Sequence, residues 1–160
     1  MLSLEVVAMS CNKKRHSLIP ASYLMLMQNE QILLLRRYNT GYADGLYSFI
    51  AGHVEPCENF TDAIIREAGE EAGIILNRSD LFAAHIMHRT GCPLSINPNA
   101  RMDIFFTAKK WQGEIINQEP HKCDDLSWFN INALPTNIIP YIRHAISCIT
   151  AGLRFSEYAN

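Results

Sequence analysis

Three glutamates occupy one face of a helix that the apolar pattern predicts. Glu67, Glu70 and Glu71 are spaced i, i+3 and i+4, and at about 100° per residue they lie within roughly a third of the circumference. A like-charge pair at i and i+4 costs roughly 0.2–0.5 kcal/mol on an exposed helix, and more when it is desolvated. Acids near the C-terminal end also oppose the helix dipole. Such a cluster indicates a bound cation, and oxygen-only ligands favour Mg²⁺ or Mn²⁺ over zinc.

The wider segment decides between this interpretation and an ordinary solvated helix face. Residues 52–74 read GHVEPCENFTDAIIREAGEEAGI and match G-x5-E-x7-R-E-U-x-E-E-x-G-U, where U is an apolar residue. The matching residues are Gly52, Glu58, Arg66, Glu67, Ala68, Glu70, Glu71, Gly73 and Ile74. Seven of these positions require one particular residue. A chance match in so short a chain is therefore very improbable.

This segment resembles the Nudix box, the signature of the Nudix hydrolase superfamily. The resemblance implies an α/β protein with the Nudix fold, a mixed β-sheet sandwiched between helices (α/β/α) with a loop–helix–loop catalytic motif. It implies that Glu67, Glu70 and Glu71 ligate the metal. The carbonyl of Gly52 is expected to be a backbone ligand.

The resemblance also implies hydrolysis of a phosphoric anhydride. Metal neutralises phosphate charge and lowers the pKa of a bound water, and a carboxylate then takes the proton of that water. Glu67 is the first choice for this base, and Glu114 and Glu119 are lesser candidates. An arginine fork can hold two carboxylates at once, so the pair Glu58 and Arg66 is expected to orient the helix glutamates. The expected catalytic residues are Glu58, Arg66, Glu67 and Glu70.

Two positions depart from the common form of the box. Ala51 precedes Gly52 where many members have a second glycine, and alanine resists positive φ. The loop would be strained or rearranged if that position required positive φ. Cys57 stands where many members have glycine, and we interpret it as a spectator because the pattern varies there.

The substrate is less clearly indicated than the reaction. Residues 36–56 and 119–135 resemble nucleoside-triphosphate pyrophosphatases of the nucleotide-pool-cleaning, MutT-like type, which release a monophosphate and pyrophosphate. Residues 90–92 lack the tyrosine typical of dinucleoside polyphosphate hydrolases, and Pro93 lies slightly beyond the position typical of ADP-ribose hydrolases. An ADP-ribose or nucleotide-sugar pyrophosphatase remains an alternative, as does a nucleotide sensor that has lost activity.

A nucleobase needs a flat apolar partner and a few polar edges. Aromatic residues are available for this at several positions, although most of them should belong to the core. The candidate substrate-binding residues are Tyr47, Phe49, Phe105 and Asn137, with Trp128 and Tyr141 as further aromatics.

Composition bounds the class of protein and its partners. The chain has 160 residues and a net charge of −2, and its longest basic run is Lys13–Arg15, so we expect a small-molecule nucleotide substrate and no nucleic-acid partner. Five scattered cysteines without a C-x-x-C pair favour a reducing cytoplasm. No apolar run approaches the roughly 20 residues of a membrane helix, so no membrane partner is expected. The oligomeric state, including a homodimer, is left open.

The periodicity predicts one domain over residues 16–160, preceded by a tail over residues 1–15. The predicted strands cover residues 23–27, 31–36, 46–51, 81–88, 102–108 and 125–129. The predicted helices cover residues 59–72, ended by Gly73, and 138–153, which closes the chain. Strands on both sides of a helix suggest a sheet covered by helices on both faces.

Overall fold

The computed structural model describes residues 17–90 and 100–159. The predicted tail over residues 1–15 lies outside these ranges, as does Pro93. The strands are β1 (Ile19–Leu24), β2 (Met27–Gln28), β3 (Gln31–Arg37), β4 (Tyr47–Ser48), β5 (Ile50–His53), β6 (Leu81–Thr90), β7 (Arg101–Ala108), β8 (Cys123–Asn130) and β9 (Phe155–Ala159). The helices are α1 (Phe60–Ala72) and α2 (Pro140–Thr150). Neither helix is long and apolar enough to cross a membrane.

The strands form two sheets. One has the order β5-β1-β7-β6-β9, and its β1–β7 and β6–β9 pairs are parallel whereas its other pairs are antiparallel. In the other, β3 pairs with β2, β4 and β8, all antiparallel. The mixed sheet that the sequence predicted is therefore present.

Alternating side chains of the central strands enter two separate cores. Tyr23 and Met25 belong to a core that includes the apolar face of α2, whereas Leu24 and Leu26 belong to a core that includes the apolar face of α1. The same alternation occurs along β3. Because both faces of these strands are covered, their sequences are continuously apolar. The predicted α/β/α architecture is confirmed.

The end of the chain differs from its prediction. Helix α2 begins at Pro140 instead of residue 138, because proline is suited to the first helical position and disfavours helical dihedrals in the residue before it. It ends at Thr150, where Gly152 adopts a left-handed φ of 73°. The predicted closing helix over 138–153 was therefore wrong in extent, and β9 follows it as a parallel edge strand.

Two of the predicted strands are also corrected. Strand β1 lies earlier than the predicted 23–27, since it runs beside β7 from Ile19 onward. The single strand predicted over 46–51 is two strands in different sheets, β4 beside β3 and β5 beside β1. As a result, Gly52, the first residue of the Nudix-box segment, lies in β5 of the five-stranded sheet.

Candidate functional site

Helix α1 carries the acidic residues and is fixed by its apolar face. Its buried residues are Ala63, Ile64, Ala68 and Ala72. Ile65 is only partly buried and packs against the same core. At the C-terminal end, Gly73 has a φ of 69° and its N–H donates to the carbonyl of Gly69 at 3.1 Å, which is the pattern of an αL cap. The helix thus packs against β1 and β5 with Glu67, Glu70 and Glu71 on the adjoining, cavity-lining side.

Arg66 holds three carboxylates together. Its guanidinium donates to both oxygens of Glu58, at 3.0 and 3.1 Å, so the expected ion contact is present and bidentate. The same group donates to Glu67 at 2.6 Å and to Glu70 at 3.3 Å. It also reaches the carbonyl of His53 at 3.3 Å. Arg66 therefore fixes the helix glutamates relative to strand β5.

The glutamates differ in their exposure and in their pKa. The Glu70 side chain is 53% exposed, whereas that of Glu67 is 14% exposed. Desolvation raises the pKa of Glu67, although Arg66 acts in the opposite direction. Desolvation also raises the pKa of Glu71 to about 8, despite the Ala51 N–H that donates to its carboxylate at 3.0 Å. The protein thus keeps two carboxyl groups where their ionised forms are disfavoured.

Gly52 leaves room for one of these carboxylates. A Cβ at this position would lie 1.7 Å from Oε1 of Glu67 and 2.1 Å from its Cδ. Glycine is therefore required here because the Glu67 carboxylate approaches its α-carbon closely, and not because of a positive φ, which Gly52 does not have. Ala51 does not have positive φ either, because it lies in β5 paired with Tyr23, so its place before Gly52 introduces no strain. Cys57 does have positive φ, 66°, which gives a physical reason for the glycine common at that position.

The acids line a cavity of about 510 Å³. Its carboxylates are those of Glu67, Glu70, Glu71 and Glu119. Glu119 reaches it because the segment before β8 is tied to the end of α1, with the Gln118 N–H donating to the carbonyl of Glu71 at 3.1 Å. Lys122 also lines the cavity and donates to Glu119 at 2.6 Å. Glu114, the other lesser candidate for the base, is exposed and is not among the lining residues.

The donor set of this cavity suits a hard divalent cation. Within residues 17–90 and 100–159, no group of three or more acidic, histidine or cysteine side chains has the arrangement that holds a metal ion. Arg66 binds the carboxylates of Glu67 and Glu70, and Glu71 accepts from the backbone of β5. The cavity nevertheless brings four carboxylates together, and a cation would stabilise the ionised forms of the two desolvated acids.

A second pocket adjoins the first and differs from it in composition. It has a volume of about 350 Å³ and shares Arg37, Ala51 and His53 with the acidic cavity. Its remaining wall includes three tyrosines and one further arginine. These are Tyr23, Tyr42, Tyr141 and Arg101.

The candidate substrate-binding residues lie mainly in the core. Tyr47, Phe49 and Phe105 are 6%, 1% and 0% exposed, and none of them lines either pocket. Asn137 donates to the carbonyl of Gly45 at 2.8 Å and does not line the pockets either. Of the further aromatics, Tyr141 lines the second pocket, whereas Trp128 packs against the α1 core.

Sequence reasoning missed several pocket residues. These are Arg37, Tyr42, His53, Arg101 and Lys122. The available signal was the glycine-containing segment over residues 39–45, which follows closely after Arg36 and Arg37. Spacing along the sequence could not have predicted that Arg101 lies beside His53. The two residues are brought together because β5 and β7 both pair with β1.

The family follows from comparison with known proteins. Residues 18–147 match the family model described as NUDIX domain. The chain therefore belongs to the Nudix family, and the family predicted from the box is confirmed.

Curated relatives share about a third of their aligned residues with this chain. The NAD-capped RNA hydrolase NudC of Stutzerimonas stutzeri (strain A1501) is 32% identical over 126 residues, covering 79% of this chain and 42% of that protein. The protein of the same name from Chromobacterium violaceum is 30% identical over 143 residues, covering 85% of this chain and 49% of that protein. The chain thus spans less than half the length of these relatives.

Solved structures confirm the Nudix fold. The MutT NUDIX hydrolase from Burkholderia pseudomallei superposes with a TM-score of 0.72 at 23% identity, covering 82% of this chain and 98% of that one. The mMutator MutT protein from Bacillus halodurans gives a TM-score of 0.71 at 17% identity, covering 89% and 90%. The cytoplasmic location and the domain boundaries stay predictions, and the oligomeric state stays open.

Proposed function

We propose that this protein is a metal-dependent hydrolase that cleaves the pyrophosphate linkage of a nucleoside diphosphate joined to another moiety. The observation that carries this proposal is the four-glutamate cavity in which Arg66 and Gly52 position Glu67. A site of concentrated carboxylates beside two cationic side chains, Arg37 and Lys122, suits a substrate that brings both phosphate and a divalent cation.

The proposed ligands of Mg²⁺ or Mn²⁺ are the carboxylates of Glu67, Glu70 and Glu71 and the carbonyl of Gly52. Bound there, the cation would neutralise phosphate charge and acidify a water molecule. Arg66 would keep Glu67 and Glu70 in place through its bonds to both. Groups that hold the metal ligands in place in this way commonly influence metal affinity.

The remaining charged residues have separate roles in this proposal. Glu67 is the first candidate for the general base, because its desolvated carboxyl has a raised pKa and lies in the cavity. Glu119 is the second, since it lines the same cavity from the opposite segment. Arg37 and Lys122 would bind phosphate oxygens.

Two substrate classes are supported by different observations. The resemblance of residues 36–56 and 119–135 to MutT-like enzymes favours a nucleoside triphosphate, cleaved to a monophosphate and pyrophosphate. The identity of 32% to an NAD-capped RNA hydrolase favours a dinucleotide pyrophosphate of the NAD type. That relative's name includes RNA, so a capped RNA must be compared with small molecules, although the net charge of −2 favours the latter.

A substrate panel with product identification tests the proposal. The purified protein is incubated with Mg²⁺ or Mn²⁺ and with nucleoside triphosphates, NAD⁺, NADH, ADP-ribose or NAD-capped RNA, and the products are separated by anion exchange. We expect a nucleoside monophosphate from at least one class, and no product in the presence of EDTA. Absence of cleavage with every substrate and both metals would reject an enzyme, and binding without turnover would favour a nucleotide sensor.

A further inference from the structure

A loop outside the box contributes three residues to the wall of the acidic cavity. They are Glu119, Lys122 and Cys123, which lie where the segment that follows β7 enters β8. We call residues 117–123 the 117–123 loop. Because this loop is distant from the box in sequence, the place of its side chains in the cavity depends on contacts that the loop itself makes.

The loop contains a tight turn. The N–H groups of Lys122 and Cys123 both donate to the carbonyl of Glu119, at 2.8 and 2.9 Å. Pro120 occupies the second position of this turn, where its fixed φ is favoured. The turn brings the Lys122 ammonium to the Glu119 carboxylate, and the two groups are joined by a bond of 2.6 Å. The loop thus presents one acid and one cation to the cavity.

The side chain of Asn117 closes the loop. Its Oδ1 accepts from the N–H of Glu119 at 3.0 Å, and its Nδ2 donates to the carbonyl of Cys123 at 2.7 Å. These two bonds join the first residue of the loop to the start of the turn and to the last residue of the loop. Asn117 lines neither of the two pockets, so its effect on the cavity must act through the loop.

The backbone at the start of the loop is anchored separately. The N–H groups of Ile116 and Gln118 donate to the carbonyls of Ala72 and Glu71, at 3.0 and 3.1 Å, at the end of α1. These bonds use backbone atoms alone and therefore do not require the side chain of Asn117. They fix where the loop begins, whereas the Asn117 side chain fixes how the chain returns.

We propose that Asn117 is a positioning residue of the acidic cavity, whose side chain closes the 117–123 loop and thereby holds the Glu119 carboxylate in the cavity wall. Desolvation is the main cause of the raised pKa of Glu67 and Glu71, and the charge of Glu119 adds to it in both. Glu119 is therefore close enough to act on a cation bound by these acids. The relevance of Asn117 to hydrolysis rests on the proposed function.

Amide hydrogen exchange followed by NMR tests the closure of the loop without substrate or metal. We expect Asn117→Ala to reduce the protection of the Glu119 and Lys122 N–H groups by about three- to tenfold, as for loss of one hydrogen bond. The N–H groups of Ile116 and Gln118 should keep their protection. Unchanged protection at Glu119 and Lys122 would overturn the proposal, and so would equal losses at all four groups, which would indicate general loosening of the segment.

Asn130→Ala is the matched control. The Oδ1 of Asn130 accepts from the N–H of Asn132 at 2.8 Å, which is the same bond to the second residue onward, and Asn130 is exposed and lines neither pocket. This variant should keep the protection of the loop.

Asn117→Ser takes the place of Asn117→Ala if circular dichroism shows that the alanine variant is not folded. A serine hydroxyl can accept from the N–H of Glu119, but it is too short to reach the carbonyl of Cys123. The protection of Lys122 should then fall more than that of Glu119, and unchanged protection of Lys122 would count against the closure.

Binding of Mn²⁺, measured by electron paramagnetic resonance, tests the consequence for the cavity. Lys122→Met is the starting protein, because the ammonium beside Glu119 repels a cation and would obscure loss of the carboxylate. In this protein we expect Asn117→Ala to weaken Mn²⁺ binding by about three- to tenfold. The same change should have no further effect when Glu119→Gln is also present, whereas an equal loss with and without Glu119→Gln would overturn the positioning role.

The possible outcomes separate this inference from the proposed function. Metal-dependent hydrolysis by a protein whose loop protection and Mn²⁺ affinity are independent of Asn117 would overturn the inference alone. The expected losses of protection and affinity, in a protein that hydrolyses no substrate of the panel, would overturn the proposed function alone. If Mn²⁺ did not bind at all, the metal-dependent function would be rejected, and hydrogen exchange would still decide whether Asn117 holds the loop.

Discussion

The carboxylate of Glu67 lies against the α-carbon of Gly52, in the space that any side chain at that position would fill. We therefore expect Gly52→Ala to displace Glu67 from its bond with Arg66 and to lower kcat on the order of a hundredfold, as a displacement of about 1 Å at a reacting group does. Steady-state kinetics on the substrate found in the panel provide the measurement.

Gly69→Ala is the control for this change. A Cβ there would have its nearest contact at 3.8 Å, with the carbonyl of Ile74, and the residue lies exposed in α1. This variant should keep its activity and gain roughly 0.5–1 kcal/mol of stability from the better helix former. Wild-type kcat in Gly52→Ala would show that the close approach has no role in catalysis.

Arg66→Lys should impair activity although it keeps the charge. Lysine cannot reproduce the bidentate contact with Glu58 while also reaching Glu67 and Glu70. We expect the Mg²⁺ concentration for half-maximal rate to rise by about 10–100-fold. Arg78→Lys, which alters an exposed ion pair with Asp62, should leave this concentration unchanged. An equal response of the two variants would contradict a positioning role for Arg66.

Removal of one partner from the buried ion pair should be costly. Arg89 and Asp103 are 3% and 0% exposed, so Arg89→Met would leave a buried carboxylate unpaired and destabilise the protein by about 3–5 kcal/mol. The double variant Arg89→Met/Asp103→Leu should recover most of this loss. Chemical denaturation of the wild type, of Arg89→Met, of Asp103→Leu and of the double variant gives the coupling energy between the two residues. If the two single losses of stability simply add in the double variant, Arg89 and Asp103 do not stabilise the protein as an ion pair.

The Glu58–Arg66 contact should make part of the stability dependent on pH. The hydrogen bond from Arg66 lowers the pKa of Glu58 below its ordinary 4.5. Its contribution is therefore present above about pH 4.5 and is lost as the pH falls through the lowered folded-state pKa. We expect Glu58→Gln to destabilise the protein at pH 7 and to have a smaller effect at pH 3. A constant difference between wild type and variant over this range would refute the assignment.

The box was predictable because its geometry is local. The spacing of Glu67, Glu70 and Glu71 within one helix fixes their common face, and Gly73 marks where that helix ends. Short apolar runs likewise identified most of the strands. The boundaries that failed, at α2 and β9, depended on Pro140 and Gly152, whose capping signals were not used.

The two pockets were less predictable because they depend on contacts between residues that are distant in sequence. Tyr47, Phe49 and Phe105 have the aromatic character of a base site, yet burial places them in the core. Arg101 of β7 and Tyr141 at the start of α2 line the same pocket. Their juxtaposition follows from strand order, which residue types alone do not specify.

Metal-dependent turnover of the site variants tests the central claim most directly. The rate of anhydride hydrolysis is measured for the wild type, Glu70→Gln and Glu71→Gln in Mg²⁺ and in EDTA, with exposed Glu114→Gln as the matched control. We predict that EDTA abolishes turnover, that both site variants lose at least about 99% of the rate, in line with removal of a metal ligand, and that Glu114→Gln keeps it. Hydrolysis that is indifferent to EDTA, or equally fast in all three variants, would contradict the account.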